Sequence, residues 1–257
     1  MVEHNMITLI GTGHIFQLSQ ILLLIFDEKQ PDVIAVELDI NRYRSLLLKH
    51  TNPDQIEQIQ KKQPFIYRTL GRYQQDLAEK FGVSAGDEML TSILYTQSHQ
   101  IPCACIDMDA QKVFNQMLKQ MTLREKMKFF FSGISGFFIS KKRLDSEIEK
   151  LEKNVDSYMD EMAKIFPTIK RVLIEQRNQY MVQNLVKLNE KHENIIAVVG
   201  DGHVPGMRQL LDEQKIVFEI IRLADLRKQE PRKTDSSEAS FLVTYETQSY
   251  EDSNEAV

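Results

Sequence analysis

The sequence predicts an α/β fold: a largely parallel central sheet flanked by helices, carrying a long helical insertion. Three observations predict it. Five short apolar runs are mostly continuous rather than alternating, as strands covered on both faces require. Segments of helical periodicity separate several of these runs, the arrangement of right-handed βαβ units. One interval, from about 111 to 192, breaks the alternation with a long, charged and strongly helical stretch.

The first run is MITLI (6–10), followed by a helix from Ile15 to Glu28 in which Ser19 is polar and Ile21, Leu22, Leu24 and Ile25 are apolar. The second run is DVIAVEL (32–38). A helix over Asp87 to Ser98 leads into the third, PCACID (102–107). Cys103 and Cys105 fall two apart there, so on a strand they point to one side, poor geometry for a mutual disulfide. The spacing is not that of a redox pair or a zinc knuckle, and both read as small buried residues. Within the interval 111–192, FFFSGISGFFI (129–139) reads as a hydrophobic helix turn loosened by Ser-Gly pairs, with contact to a membrane or a partner as the alternative. Leu144, Ile148, Leu151, Val155, Met159 and Met162 then recur at steps of three and four, one face of a helix. Pro167 suits the start of a further helix, with a stripe of Ile169, Leu173, Arg177, Met181, Leu185 and Leu188. IIAVVG (195–200) and VFEIIRL (217–223) are the last two runs, joined by a helix over Arg208 to Gln214. The domain therefore covers 1–227. The polar tail 228–257 is expected to be disordered, with FLVTYET (241–247) as its one candidate edge strand.

The chain is 42% hydrophobic and 27% charged, an ordinary soluble composition. Its net charge of −5 offers no attraction for a nucleic-acid backbone, so no nucleic-acid partner is expected. No signal-like segment opens the chain, and the longest apolar stretch falls short of the ~20 residues that span a bilayer. A cytoplasmic protein without an integral membrane segment is the expectation.

In open α/β sheets, ligands gather outside the carboxyl ends of the strands. Polar residues at those ends are His14, Glu37 and Asp39, Asp107 and Asp109, and Asp201 and His203. The two histidines close matching Gly-x-x-His turns, Gly11-Thr-Gly-His14 and Gly200-Asp-Gly-His203. Either turn alone is a weak signal, since such a histidine also serves simply to cap a helix. Together with a carboxylate, two imidazoles make a divalent-metal site, and an open coordination position would activate water. The glycines are expected to supply φ values that other residues resist and to clear space for a ligand. Glu37 follows a doubly buried run, so its charge calls for a cation, either a metal or an arginine. Arg42 and Arg177 are the candidate arginines. Arg177 interrupts an apolar stripe and reads equally as a structural ion pair or a substrate contact. A dinucleotide-binding GxGxxG is excluded by Phe16, and no G-x-S-x-G elbow is present.

These segments resemble, taken together, the TraB family, which includes bacterial pheromone-shutdown proteins and is distantly similar to Tiki metalloproteases and to erythromycin-esterase-like and ChaN-like folds. The resemblance covers most of 6–223 and rests on GTGHIF, VELDINR ending at Arg42, GDEM with Glu88, IDMD, QRNQYM with Arg177, and VVGDGHVPG. It implies an α/β sheet with a helical insertion and a metal site of His14, Glu37 and His203, matching the residues nominated above. The sequence departs from the family pattern at Gln176 and Asn178, where acidic residues often stand, and at Met108, where an arginine is common. Pheromone-shutdown members carry membrane helices after the shared domain; a polar stretch follows here, so their membrane role is not expected to carry over.

The expected function is a divalent-metal hydrolase using manganese, cobalt or zinc and acting on a peptide. Glu37 would serve as ligand or general base, Arg42 and Arg177 as stabilisers of an oxyanion or a substrate carboxylate, and Glu88 and Asp107 as additional ligands or orienters. The alternatives are a non-catalytic protein that binds a peptide or small molecule, with the insertion as docking or homo-oligomer surface, and hydrolysis of a non-peptide ester.

Overall fold

The structure is a computed structural model and describes residues 5–13, 18–52, 86–128 and 164–229. His14, the 129–139 and 144–162 segments and the 241–247 run lie outside them. Five strands form one all-parallel sheet: β1 (Met6–Thr12), β2 (Val33–Val36), β3 (Cys103–Cys105), β4 (Asn194–Gly200) and β5 (Val217–Ile221). Their order is β3-β2-β4-β1-β5, so the last long strand lies between the first two. β1 and β4 pair along their whole length, ending at Thr12 opposite Gly200. β2 lies on the other side of β4, with Val36 opposite Val198.

The helices are α1 (Ser19–Lys29), α2 (Ile40–Thr51), α3 (Asp87–Ser98), α4 (Ala110–Gln120), α5 (Gln176–Asn189), α6 (Val204–Glu213) and α7 (Leu223–Gln229). Strand side chains alternate between two fully covered faces, which explains the continuous apolar runs. Ile10, Ile34, Val36, Ile196 and Val198 pack with Leu22 and Phe26 of α1, Met89 and Ile93 of α3 and Leu226 of α7. Ile7, Leu9, Val33, Ala35, Ile195, Ala197 and Val199 pack with Met181 and Leu185 of α5 and Met207 and Leu211 of α6. The helices after β1 and β4 therefore cover opposite faces, the kind of reversal beside which α/β proteins place their ligands.

Two predicted strands are shorter than expected. β2 ends at Val36 and β3 at Cys105 because the next residues turn onto the carboxyl-terminal rim. Backbone bonds still hold them beside their neighbours: the Glu37 N–H donates to Val198 O (3.1 Å), and the Asp107 N–H donates to Leu38 O (3.2 Å). Helix α6 begins at Val204, directly after a single 3₁₀ turn over Asp201–His203, four residues before the expected start. Helix α2 has no fully buried residue; Tyr43, Leu46 and Leu47 pack half-buried against the face covered by α1 and α3. Its start is fixed by its cap: Asp39 accepts from the N–H groups of Asn41 (2.8 Å) and Arg42 (3.0 Å).

The stretch ahead of α5 is unusual. A turn over Pro167–Ile169 runs into a π-helix over Lys170–Glu175, which continues without a break into α5. Ile169 and Val172 pack against Val113 and Met117 of α4 in a cluster separate from the sheet. Glu125 ties this stretch to the residues after α4. Its carboxylate accepts from the N–H and hydroxyl of Thr122 (both 2.9 Å) and from the N–H (2.9 Å) and hydroxyl (3.1 Å) of Thr168. Thr122 and Glu125 form a capping box whose glutamate also serves a second helix start. Among the described residues, no helix is long and apolar enough to cross a membrane.

Candidate functional site

Glu37 is the hub of the carboxyl-terminal rim. It is buried, and each carboxylate oxygen has partners. Oε2 accepts from the Gly200 N–H at 2.6 Å, Oε1 pairs with Arg177 Nη2, and His203 Nε2 stands 3.3 Å from Oε1. Three elements therefore meet on one side chain: β2 supplies it, β4 and its 3₁₀ turn supply Gly200 and His203, and α5 supplies Arg177. Burial pushes the Glu37 carboxyl up, but His203, Arg177 and the Gly200 N–H outweigh that and hold it well below its ordinary range.

Arg177 bridges two buried carboxylates. Besides Glu37, it holds Asp107 in a fork, with Nε to Oδ1 at 2.9 Å and Nη2 to Oδ2 at 2.7 Å. Its Nη1 donates to Leu173 O in the π-helix at 3.2 Å. Burial disfavours the charged guanidinium, yet the Asp107 and Glu37 contacts more than compensate and raise its pKa. Four of its five N–H donors thus bond within the protein, in the geometry of a buried ion-pair network. Arg42 differs: its side chain is 42% exposed and reaches Asp107 Oδ2 and Glu37 O only at 3.4 Å each. It is the guanidinium that faces outward on the rim.

His203 is 5% exposed and fixed on both sides of its ring. Nδ1 lies 2.6 Å from Asn178 Oδ1, while Nε2 points toward Glu37. Asn178 follows Arg177 directly in α5, so consecutive residues hold the two halves of the site. In the sequence Asn178 is only a departure from the family pattern, because an asparagine inside a helix gives no signal in one dimension. The fold shows its setting: a Cβ at Gly206 would overlap the Asn178 amide.

The other rim carboxylates have structural partners. Asp39 caps α2 and also accepts from the Ala110 N–H at the start of α4 (3.2 Å). Asp109 caps α4 through the Lys112 N–H (2.9 Å). Asp201 is clamped by Arg222 through two bonds of 2.8 Å and by the Leu223 N–H at 3.0 Å, joining the β4 turn to α7. Glu88 is buried in the first turn of α3. That helix packs against the opposite face of the sheet from α5.

Gly11 and Gly200 are needed for their size, whereas a Cβ at Gly202 would meet open space. Gly200 has an ordinary extended backbone (φ −62°), which corrects the expectation of special φ values there. A Cβ at Gly11 would overlap Asp201 Oδ1, and one at Gly200 would stand 3.3 Å from Glu37 Oε2. Cys103 and Cys105 are free and pack toward the same face. Burial raises their thiols to about 12 and about 11, so neither is a thiolate at neutral pH. Among the described residues, no group of three or more His, Cys, Asp and Glu side chains is arranged to hold a metal; His14 lies outside them.

A parallel α/β sheet with a buried, multiply paired carboxylate and an oriented imidazole on its carboxyl-terminal rim defines a class of protein with a preformed polar site at the strand ends. The chain belongs to the TraB/PrgY/gumN family, whose model matches residues 2–217. It is also 30% identical over 244 residues to an uncharacterized protein of Methanocaldococcus jannaschii; the match covers 93% of this chain and 60% of that relative.

Proposed function

We propose that the protein is a divalent-metal-dependent hydrolase acting on peptides, with the metal held by Glu37, His203 and His14. The observation that carries this reading is the 3.3 Å separation of Glu37 Oε1 and His203 Nε2. Two ligands about 2.1 Å from one ion at a tetrahedral angle stand about 3.4 Å apart. The donor types fit manganese, cobalt or zinc. The third donor, His14, is proposed from the sequence alone: it closes the Gly-x-x-His turn that matches the one ending at His203, and it follows β1, the strand paired with β4.

A cation bound there supplies a Lewis acid that activates water. The protein's own groups do the rest. His203, Arg177 and the Gly200 N–H hold Glu37 ionised, which suits it to bind a cation rather than to take up a proton. Arg42, exposed at the rim, is placed to contact a substrate carboxylate or carbonyl oxygen. Asp107 orients Arg177.

A second reading is favoured by one observation: Arg177 already neutralises Glu37. On that reading the rim binds a peptide or small molecule without turnover. A peptide-library cleavage assay with added manganese, cobalt or zinc separates the two. The hydrolase reading expects cleavage that depends on metal and disappears in His203→Ala. Peptide binding with no cleavage under any of the three metals supports the second reading.

A further inference from the structure

We infer that Asn178 is a positioning residue that fixes the ring of His203 as the Nδ1–H tautomer and so reserves Nε2 for the site; this rests on the reading of His203 as a metal ligand. Three observations converge. Asn178 is 2% exposed, so its amide makes its hydrogen bonds within the protein. Its Oδ1 stands 2.6 Å from Nδ1, and a carbonyl oxygen can only accept, so the proton on that bond belongs to the imidazole. Gly206, three residues beyond His203 on α6, is vacant where a Cβ would overlap the Asn178 amide. The glycine of the GHVPG segment thus has a local reason: it admits the amide that holds the histidine.

The tautomer matters because the ring faces two acceptors, Asn178 on one side and Glu37 on the other. A ring carrying both protons serves both acceptors, and that is the form in which His203 favours the ionised Glu37. The neutral ring has one proton to place: it can satisfy Asn178 and leave Nε2 as a lone-pair donor toward the rim, or satisfy Glu37 and lose that lone pair. The closer contact, 2.6 Å to Asn178 against 3.3 Å to Glu37, selects the first arrangement. Ligating histidines commonly have such an acceptor on the other nitrogen, and its loss typically costs 10- to 100-fold in metal affinity. The π-helix before α5 connects this device to the arginine. Arg177 donates to Leu173 O within it and Asn178 comes next in the chain, so one helix start aims both residues at the rim.

The test uses the full-length protein, metal-free, with the His203 ring nitrogens observed by ¹⁵N NMR in alkaline buffer. Wild type and Asn178→Asp, which keeps an acceptor facing Nδ1, are expected to carry the proton on Nδ1. Asn178→Leu and Gly206→Ala are expected to shift it toward Nε2. Both of the latter should bind zinc about 10- to 100-fold more weakly, while Asn178→Asp stays within a few fold of wild type. Circular dichroism and thermal melts identify folded variants, and Gly206→Ala serves if Asn178→Leu does not fold. A wild-type proton on Nε2, or a distribution unchanged in the folded variants, overturns the inference. Because the tautomer is read without metal, a protein that binds no zinc but shows the expected shift overturns the metal reading and leaves the role of Asn178 standing.

Discussion

The two edges of the sheet treat charge differently. At the amino-terminal side, polar groups pair off separately and near water. Asp32 accepts from the Glu193 and Asn194 N–H groups, and Lys29 pairs with Glu219, whose side chain is 36% exposed and also accepts from Thr8. At the carboxyl-terminal rim, Glu37, Asp107, Arg177 and His203 share partners across β2, β3, α5 and the turn after β4, all at low exposure. An exposed pair is cheap to make and to lose, while a buried network is costly to desolvate and rigid once complete. The comparison teaches that fold maintenance at one edge is dispersed over small terms, whereas the rim concentrates charge where only mutual compensation allows it.

The sharpest way to break this comparison is to remove the shared cation. Arg177→Met leaves Glu37 and Asp107 buried without it, and urea unfolding should show a loss of about 3–5 kcal/mol. A smaller but still large effect is expected at Gly11→Ala, where the new methyl meets Asp201 and Val204. Overpacking of this kind costs about 1–3 kcal/mol, and the Asp201–Arg222 clamp should loosen with it. Acid should expose the rim next. The folded pKa of Glu37 is depressed, so its contribution is fully present above its unfolded value near 4.5 and is lost as pH falls through the folded value. Glu37→Gln should flatten the acid limb of a stability–pH profile below about pH 4.5. Glu125 obeys the same sign: burial raises its pKa, but four hydrogen bonds bring it down to about 2, so Glu125→Gln should flatten the profile between 4.5 and about 2. Lys29→Met at the opposite edge should be the mildest, changing stability by about 1 kcal/mol or less.

Much of this was legible in the sequence, for identifiable reasons. Continuous apolar runs marked the five strands because both sheet faces are covered. Glu37 stood out because it ends a run with no room for an unpaired charge, and Arg177 because it interrupts an apolar stripe. Other features were not legible. Asp39, Asp109 and Asp201 read like Glu37 in one dimension, yet they cap helices or clamp a turn. Which carboxylate meets a backbone N–H and which meets a guanidinium depends on contacts between residues far apart in the chain. Helix α2 is not legible because its apolar stripe is only Tyr43, Leu46 and Leu47, none fully buried, and Asn178 because its partner lies 25 residues away in the turn after β4.

The central claim is that Glu37, His203 and His14 together hold one divalent cation. Metal analysis of protein dialysed against manganese, cobalt or zinc tests it most directly, alongside the His14→Ala and His203→Ala double variant. The account predicts about one ion per chain in the wild type and none in the double variant when both are folded. A wild-type protein that retains no metal, or a double variant that retains as much as wild type, contradicts it.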